Sequence, residues 1–143
     1  MTTPTAARQY PDTYADARRL LAEPLTERQD RHVLLDATNT REPDGCTAHL
    51  EVRSTKAARV TIEVRSGLPR LRVVGDGVVN VVANSSWGNS VTVADDATVI
   101  AQLGDGVKFT GYVEDHGFLV LAGDLGARTN VFADETGHWA DVR

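Results

Sequence analysis

The chain contains little cysteine, few aromatic residues and no long apolar run. Its 143 residues include one cysteine, Cys46, so no internal disulfide can form. No window approaches the roughly 20 uninterrupted apolar residues that a membrane-spanning helix needs. The stretch from Met1 to Asp12 is polar and lacks the apolar core of a secretory signal. We therefore expect a protein of a cytosol or of a virus particle.

The composition is that of an ordinary globular domain. Apolar residues make up 41% of the chain and charged residues 24%, and the formal net charge is −5. Disordered chains have a lower apolar content, and multidomain chains are usually longer. A chain of this size buries roughly two thirds of its unfolded surface, which provides a core without metal or disulfide staples.

Residues 1–45 form a segment with helical periodicity. Apolar side chains recur there every three or four positions, which predicts one face of a helix. These are Tyr10, Tyr14, Ala17 and Leu21. Asp12 or Thr13 suits the N-cap position, and Pro24 should end the helix.

A second short segment follows this proline. The spacing of Thr26 and Gln29 has the form of a capping box and predicts a helix that begins there and runs to about Asp36. The apolar run Val33–Leu35 is also compatible with a short strand, because so brief a run does not distinguish the two periods. Residues 39–45 are typical of a loop.

From His49 onward the sequence is typical of short strands joined by tight turns. Stretches of β-branched residues alternate with turns rich in Gly, Asp, Asn and Ser. The clearest strands are 58–64, 78–83, 90–94 and 118–121, and the clearest turns are 75–77, 87–89, 104–106 and 115–117. The two glycine-aspartate-glycine turns precede no helix and no Lys-Ser/Thr pair, so they are not phosphate-binding loops.

These strands and turns repeat with a period of twenty residues. Small residues fall in two columns half a row apart, which predicts two corners per coil. The first column holds Ala57, Gly77, Ala97, Gly117 and Gly137, and the second holds Cys46, Ser66, Ser86, Gly106 and Gly126. Two further columns predict inward-facing positions. They hold Leu71, Val91, Gly111 and Val131, and then Val73, Val93, Val113 and Ala133.

The opposite strand follows the period less regularly. Val60, Ile62 and Val64 alternate as a strand facing a core should, but Asn80 and Gln102 fall where the twenty-residue rows place an aliphatic side chain. We expect the register to slip or to bulge there.

The period favours a short, right-handed β-solenoid of about 20 residues per coil over residues 46–143. Residues 1–45 would cap its first coil or reach to a neighbouring molecule. An antiparallel β-barrel or sandwich is the alternative, because hairpins also place strands at this spacing.

In amino-acid composition, residues 91–99 and 104–111 resemble short-repeat β-solenoid proteins of actinobacteria and their phages. The resemblance is compositional and covers about half the chain, without a signature motif. It implies a structural or attachment module, often from virions, and assigns no catalytic residue.

Six carboxylates fall in adjacent columns of three successive rows and predict an acidic ridge. They are Asp95, Asp96, Glu114, Asp115, Asp134 and Glu135. A solvated row of turn residues is the plainest interpretation. There are two alternatives. The ridge could bind calcium, with Asp95, Asp115 and Asp134 as ligands, or it could provide general acid–base catalysis on a sugar. The four histidines show no metal-ligand spacing and Cys46 has no clear base, so we expect no zinc, no cofactor and no catalytic residue.

Charge differs strongly along the chain. Residues 49–75 hold six basic and two acidic side chains, whereas residues 76–143 hold three basic and ten acidic ones. Such polarity favours head-to-tail contact between copies or binding to a charged protein, and the overall acidity argues against nucleic acid. The candidate interface residues are Tyr14, Leu21, Trp87, Trp139, Arg59 and Arg70.

The leading functional hypothesis is a non-catalytic structural or attachment protein that assembles through its ends. A capsid accessory or decoration protein of a phage, forming a homo-oligomer or binding capsid subunits, would fit this description. The alternatives are an inhibitor that binds a host protein and a carbohydrate-active β-helix enzyme.

Overall fold

A computed structural model describes residues 8–25, 30–43, 49–67, 69–84 and 89–143. Over these ranges the chain is mainly β and forms a parallel β-solenoid of about six turns with one short helix. The predicted solenoid is confirmed, and the antiparallel alternative is wrong, because every pairing between the described strands is parallel.

In the described ranges the chain forms one helix and twelve strands, and corners join the strands that follow the helix. They are β1 (Arg8–Gln9), α1 (Tyr14–Ala22), β2 (Arg31–Leu35), β3 (His49–Ser54), β4 (Arg59–Val64), β5 (Arg70–Gly75), β6 (Val78–Ala83), β7 (Asn89–Val93), β8 (Thr98–Leu103), β9 (Lys108–Val113), β10 (Phe118–Gly123), β11 (Arg128–Ala133) and β12 (His138–Asp141).

From β2 onward, successive strands alternate between two sheets. Within the described ranges, the seven-stranded sheet has the order β1-β2-β4-β6-β8-β10-β12, and the five-stranded sheet has the order β11-β9-β7-β5-β3. Each coil from β3 onward therefore contributes one strand to each sheet. Equivalent residues of neighbouring coils lie side by side and form ladders along the axis.

The register confirms the twenty-residue period over most of the solenoid. Thr98, Phe118 and His138 pair in sequence, each twenty residues from the next. The two predicted inward columns also pair as expected. Leu71 pairs with Val91, Val91 with Gly111 and Gly111 with Val131, and the Val73 column follows the same register.

The predicted slip is confirmed beside Asn80 and is wrong at Gln102, which pairs with Val82 and Ala122 in the twenty-residue register. His49 of β3 pairs with Arg70, twenty-one residues on, and Arg59 of β4 pairs with Val78, nineteen residues on. Asn80 therefore pairs with Thr61 at a partly exposed position, and its neighbours in β6 face the core.

The shifted register corrects one corner assignment. From β4 onward, the residue directly before each strand of the seven-stranded sheet is small, and before β4 this residue is Ala58, not Ala57. Ala58 is buried, and its N–H donates to the carbonyl of Thr55 across the corner. Of the second corner column, Cys46 and Ser86 lie outside the described residues.

Of the two interpretations of the segment after Pro24, the short strand is confirmed and the helix is wrong where the structure describes it. Arg31–Leu35 is strand β2, which pairs with β4 and buries Val33 against Ile62. Pairing with a neighbouring strand decides the conformation of an apolar run too short to specify its own. The coils thus begin within the segment assigned to residues 1–45, and Thr26 and Gln29 lie outside the described residues.

Helix α1 covers the edge of the five-stranded sheet at its N-terminal end. The hydroxyl of Thr13 accepts a hydrogen bond of 3.1 Å from the N–H of Asp16, which confirms Thr13 as the N-cap. Ala17 and Leu21 are buried in the core, and the helix packs on β3. The chain therefore caps its own first coil.

Two polar side chains hold this cap in place. The Arg31 guanidinium donates to the carbonyls of Leu20 (2.7 Å) and Glu23 (3.0 Å) at the end of α1. The buried amide of Asn39 donates to the carbonyls of Pro11 and Leu34 at 2.8 and 3.1 Å. These bonds satisfy helix and loop carbonyls that have no partner within the helix.

Candidate functional site

The edge strands at the two ends of the solenoid differ in how they are covered. At the N-terminal end, α1 covers β3, and the Tyr14 hydroxyl donates to the carbonyl of His49 on that strand at 3.2 Å. At the C-terminal end, β11 and β12 are the outermost strands of their sheets, and no further strand of the described chain pairs with them. An uncovered strand edge offers N–H and C=O groups to another strand.

Large apolar side chains are exposed at this C-terminal end. Trp139 of β12 pairs with Leu119, so it continues an inward column, yet it is 48% exposed. Phe132 of β11 is 58% exposed, and its ring stacks on Tyr112 with a centroid distance of 5.6 Å. Val142 and Leu125 are also exposed. We call β11, β12 and these side chains the open end. Exposed apolar side chains beside an uncovered strand edge favour association.

A partly buried ion pair lies at the open end. The Arg143 side chain is only 8% exposed and donates to both carboxylate oxygens of Asp141, at 2.9 and 2.8 Å. It also donates to the carbonyl of Ala127 at 3.0 Å and to the hydroxyl of Thr129 at 3.2 Å. Hydrogen bonds from the guanidinium and from the backbone N–H of Arg143 lower the pKa of Asp141 to about 2.

We expect acid to weaken this contact within a defined window. Because the pKa of Asp141 is about 2 in the folded chain and 3.8 when unperturbed, the ion pair stabilises the fold fully above about pH 4 and loses its contribution as the pH falls through about 2. Asp141→Asn should therefore reduce the fall in melting temperature between about pH 5 and about pH 2. Circular dichroism melts across this range measure the effect.

The matched control for this titration is Asp96→Asn. The Asp96 side chain is exposed and makes no hydrogen bond or ion pair in the described structure. The melting temperature of the Asp96→Asn variant should follow that of the unaltered chain at every pH. An Asp141→Asn variant with the same acid response as the unaltered chain would contradict the assignment.

Three of the predicted ridge carboxylates form a continuous ladder. Asp134 accepts from the N–H of Asp115 at 3.1 Å, Asp115 from the N–H of Asp95 at 3.3 Å, and Asp95 from the N–H of Gly75 at 3.2 Å. Asp95 and Asp115 have φ angles of 54° and 53°, in the left-handed region that aspartate tolerates better than most residues. The ladder joins consecutive corners from β5 to the open end.

The ladder places its carboxylates in a structural role. Burial raises the pKa of Asp134, but four hydrogen bonds to its carboxylate outweigh this effect, so the pKa is below its usual value. The donors are the N–H groups of Thr136, Asp115 and Gly137 and the Thr136 hydroxyl. A general acid needs a raised pKa. No three His, Cys, Asp or Glu side chains converge as metal ligands in the part of the chain that the structure describes.

The other candidate interface residues lie in different parts of the fold. Leu21 is 1% exposed, so the prediction that it contacts a partner is wrong: the apolar face of α1 turns inward onto the first coil. Tyr14 is partly buried and bonded to Glu42 and His49. Arg59 is exposed on the outer face of the seven-stranded sheet.

Arg70 is exposed on the outer face of the other sheet. Trp87 and Cys46 lie outside the described residues. Sequence reasoning also missed a cleft between α1 and the outer face of the five-stranded sheet, lined by Arg18, Arg70 and Tyr112 among others. The alternating polar residues of β7 and β9 are the one signal for it, and they do not reveal that a helix packs beside them.

Comparison with models of protein families, with curated proteins and with solved structures finds no match to this chain. In the described residues, no helix has the length and apolar character needed to cross a membrane.

Proposed function

We propose that this chain is a non-catalytic structural or attachment protein that assembles with a second copy of itself through the open end. The observation that carries the proposal is the asymmetry of the two ends. At one end α1 covers β3, and at the other end β11 and β12 each lack a partner strand on their outer side within the described chain, beside exposed Trp139 and Phe132. Edge strands flanked by exposed apolar groups associate readily.

The geometry favours contact between two open ends. A head-to-tail contact, which the charge polarity favours, would have to displace α1 from β3, where Ala17 and Leu21 are buried. Contact of two open ends leaves both caps intact. The copies would then be related by a two-fold axis, and their edge strands would run antiparallel across the contact. Such an isologous contact closes as a pair and does not extend into a filament.

The carboxylates support a non-catalytic role. Asp95, Asp115 and Asp134 each hold a backbone N–H of the preceding coil, and the pKa of Asp134 is lowered. A sugar-cleaving pair needs one carboxyl group that keeps its proton near neutral pH. Location on a phage capsid remains a prediction of the sequence resemblance.

The test replaces the exposed aromatic side chains of the open end. At about 100 µM protein, a pair with a Kd of about 10 µM is mostly associated. Sedimentation equilibrium of the unaltered chain should therefore give twice the monomer mass, and the variant Phe132→Asp/Trp139→Asp should give the monomer mass. Far-ultraviolet circular dichroism should show the same β signal for both proteins.

The matched control is Phe118→Asp. Phe118 is 38% exposed, but its strand β10 pairs on both sides, with β8 and β12, so it offers no free edge. This variant should keep the doubled mass. A monomeric unaltered chain at about 100 µM, or a folded Phe132→Asp/Trp139→Asp variant with unchanged mass, would overturn the proposal.

A further inference from the structure

The cleft beside α1 has the size of a ligand site. Its volume is about 1030 Å³, at the upper end of the roughly 300–1,000 Å³ that small-molecule pockets occupy. Tyr14 and Arg18 of α1 form one wall. The floor is the outer face of β3, β5, β7 and β9, where Arg70, Thr92 and Tyr112 are among the lining residues. The cleft contains none of the open-end residues.

The positive charges of the cleft are incompletely neutralised. Arg18 and Arg70 make no ion pair or side-chain hydrogen bond within the described residues. Arg72 pairs with Glu114 at 3.3 Å, and both side chains are about half exposed.

The two carboxylates that line the cleft are already engaged. The Tyr14 hydroxyl donates to Glu42 at 3.0 Å, and Arg53 pairs with Glu51 at 3.5 Å. Arg18 and Arg70 are therefore available to an anion that enters the cleft.

The polar floor suits an extended ligand with carboxylate groups. A guanidinium binds a carboxylate through two parallel hydrogen bonds, which makes arginine the preferred partner for this group. Ser90, Thr92 and Thr110 add hydroxyl groups on the adjacent strands β7 and β9. Four neighbouring strands span about 14 Å, which is the length of about four residues of extended peptide.

From these observations we infer that the cleft binds a short acidic segment of a partner protein. Its carboxylates pair with Arg18 and Arg70, and its backbone lies over the hydroxyl groups of the floor. A nucleic acid fits less well, because phosphate backbones are held by many basic side chains and the chain has a net charge of −5. The inference concerns a different surface from the open end and does not depend on self-association.

The experiment measures fluorescence anisotropy of a labelled, acetylated hexaglutamate peptide with the full chain. The unaltered protein should bind it, and rising salt should weaken binding because the contact is between charges. Arg18→Ala/Arg70→Ala should weaken binding at least about tenfold, since hydrogen bonds to charged groups are the stronger kind. Both side chains are exposed, so the variant should keep its circular dichroism spectrum.

The matched control is Arg59→Ala, an exposed arginine on the outer face of the opposite sheet, which should bind the peptide as the unaltered chain does. Undetectable peptide binding at low salt, or equal binding by Arg18→Ala/Arg70→Ala, would overturn the inference. A hexathymidylate oligonucleotide that binds more tightly, and loses binding in the double variant, would do the same by showing a nucleic-acid site.

Sedimentation separates this inference from the proposed function. Arg18→Ala/Arg70→Ala should leave the mass in solution unchanged. A fall in mass would show that the acidic occupant is a second copy of the chain and would overturn the assignment to a partner protein. Trp139→Asp, on β12 of the opposite sheet, should still bind hexaglutamate, so either proposal can fail while the other holds.

Discussion

Replacement of Gly75 by alanine should lower the free energy of unfolding by about 2–5 kcal/mol, because strain and steric overlap act together. Gly75 ends β5 with a φ angle of +98°, which an L side chain rarely adopts. A Cβ atom here would overlap the carbonyl oxygen of Ser54 and lie 3.0 Å from its carbonyl carbon.

The backbone of Ser54 has little freedom to move away from such a methyl group. Its side-chain hydroxyl donates to the carbonyl of Val74 at 2.7 Å and accepts from the N–H of Gly77 at 3.0 Å. Its carbonyl accepts from the N–H of Asp76 at 3.4 Å. Relief of the overlap would stretch several of these bonds, which is why the expected loss is large.

Urea unfolding followed by circular dichroism measures this loss, with Gly104→Ala as the matched control. Gly104 also lies at a corner, but its φ angle is not positive, and an added Cβ would meet its nearest atom at 3.4 Å, an ordinary contact. The control should change the stability by less than about 1 kcal/mol. Equal stabilities for the two variants would contradict this account of the corners.

Replacement of Phe109 by alanine should cost about 3–5 kcal/mol, the range for deletion of a buried aromatic side chain. Phe109 is 1% exposed and is the largest fully buried side chain among the described residues. An added Cβ at Gly111, next but one in β9, would lie 3.3 Å from the Phe109 ring and 2.5 Å from Leu119. The glycine thus leaves room for the Phe109 ring and the Leu119 side chain, and removal of the phenyl group leaves a cavity.

Phe118→Ala is the matched control for the core substitution. Phe118 has the same side chain on the neighbouring strand of the coil, but it faces outward and is 38% exposed. Its loss should cost about 1 kcal/mol or less. Urea unfolding of both variants measures the difference, and a cost for Phe109→Ala no larger than that for Phe118→Ala would contradict the placement of β9.

The repeat of the solenoid is readable in the sequence for a physical reason. In a solenoid, a residue contacts the equivalent residue one row away, so the same packing requirement recurs at a fixed interval. The ladders from Leu71 to Val131 and from Gly77 to Gly137 show this directly. The first coils follow the rule with steps of twenty-one and nineteen residues, and a fixed period misplaces Ala57 there by one position.

The errors in the sequence interpretation arise where a segment has no repeated neighbour. Residues 31–35 are too few to show a period, and their pairing with β4 makes them a strand. The periodic face of α1 identifies Leu21 as apolar, but the pattern does not say whether that face meets a partner or the first coil. The structure places it on the coil.

For the candidate sites as well, the sequence predicts some features and only the structure shows the others. The stacking of Asp95 on Asp115 follows from the period, because the two residues lie twenty positions apart. Asp134 lies nineteen residues after Asp115, in the adjacent column, and only its hydrogen bond joins it to the ladder. The hydrogen bonds that assign the column to the corners, and the lowered pKa of Asp134, depend on backbone positions that the pattern does not show.

By itself the sequence determined the parallel coils, their inward columns and their small corners, because each of these is a local requirement repeated along the chain. Only the tertiary structure decided that α1 covers one end, that β11 and β12 leave the other uncovered, and that a cleft with Arg18 and Arg70 lies beside the helix. These features arise where segments without a common period meet, and their contacts depend on how the helix and the coils pack in three dimensions.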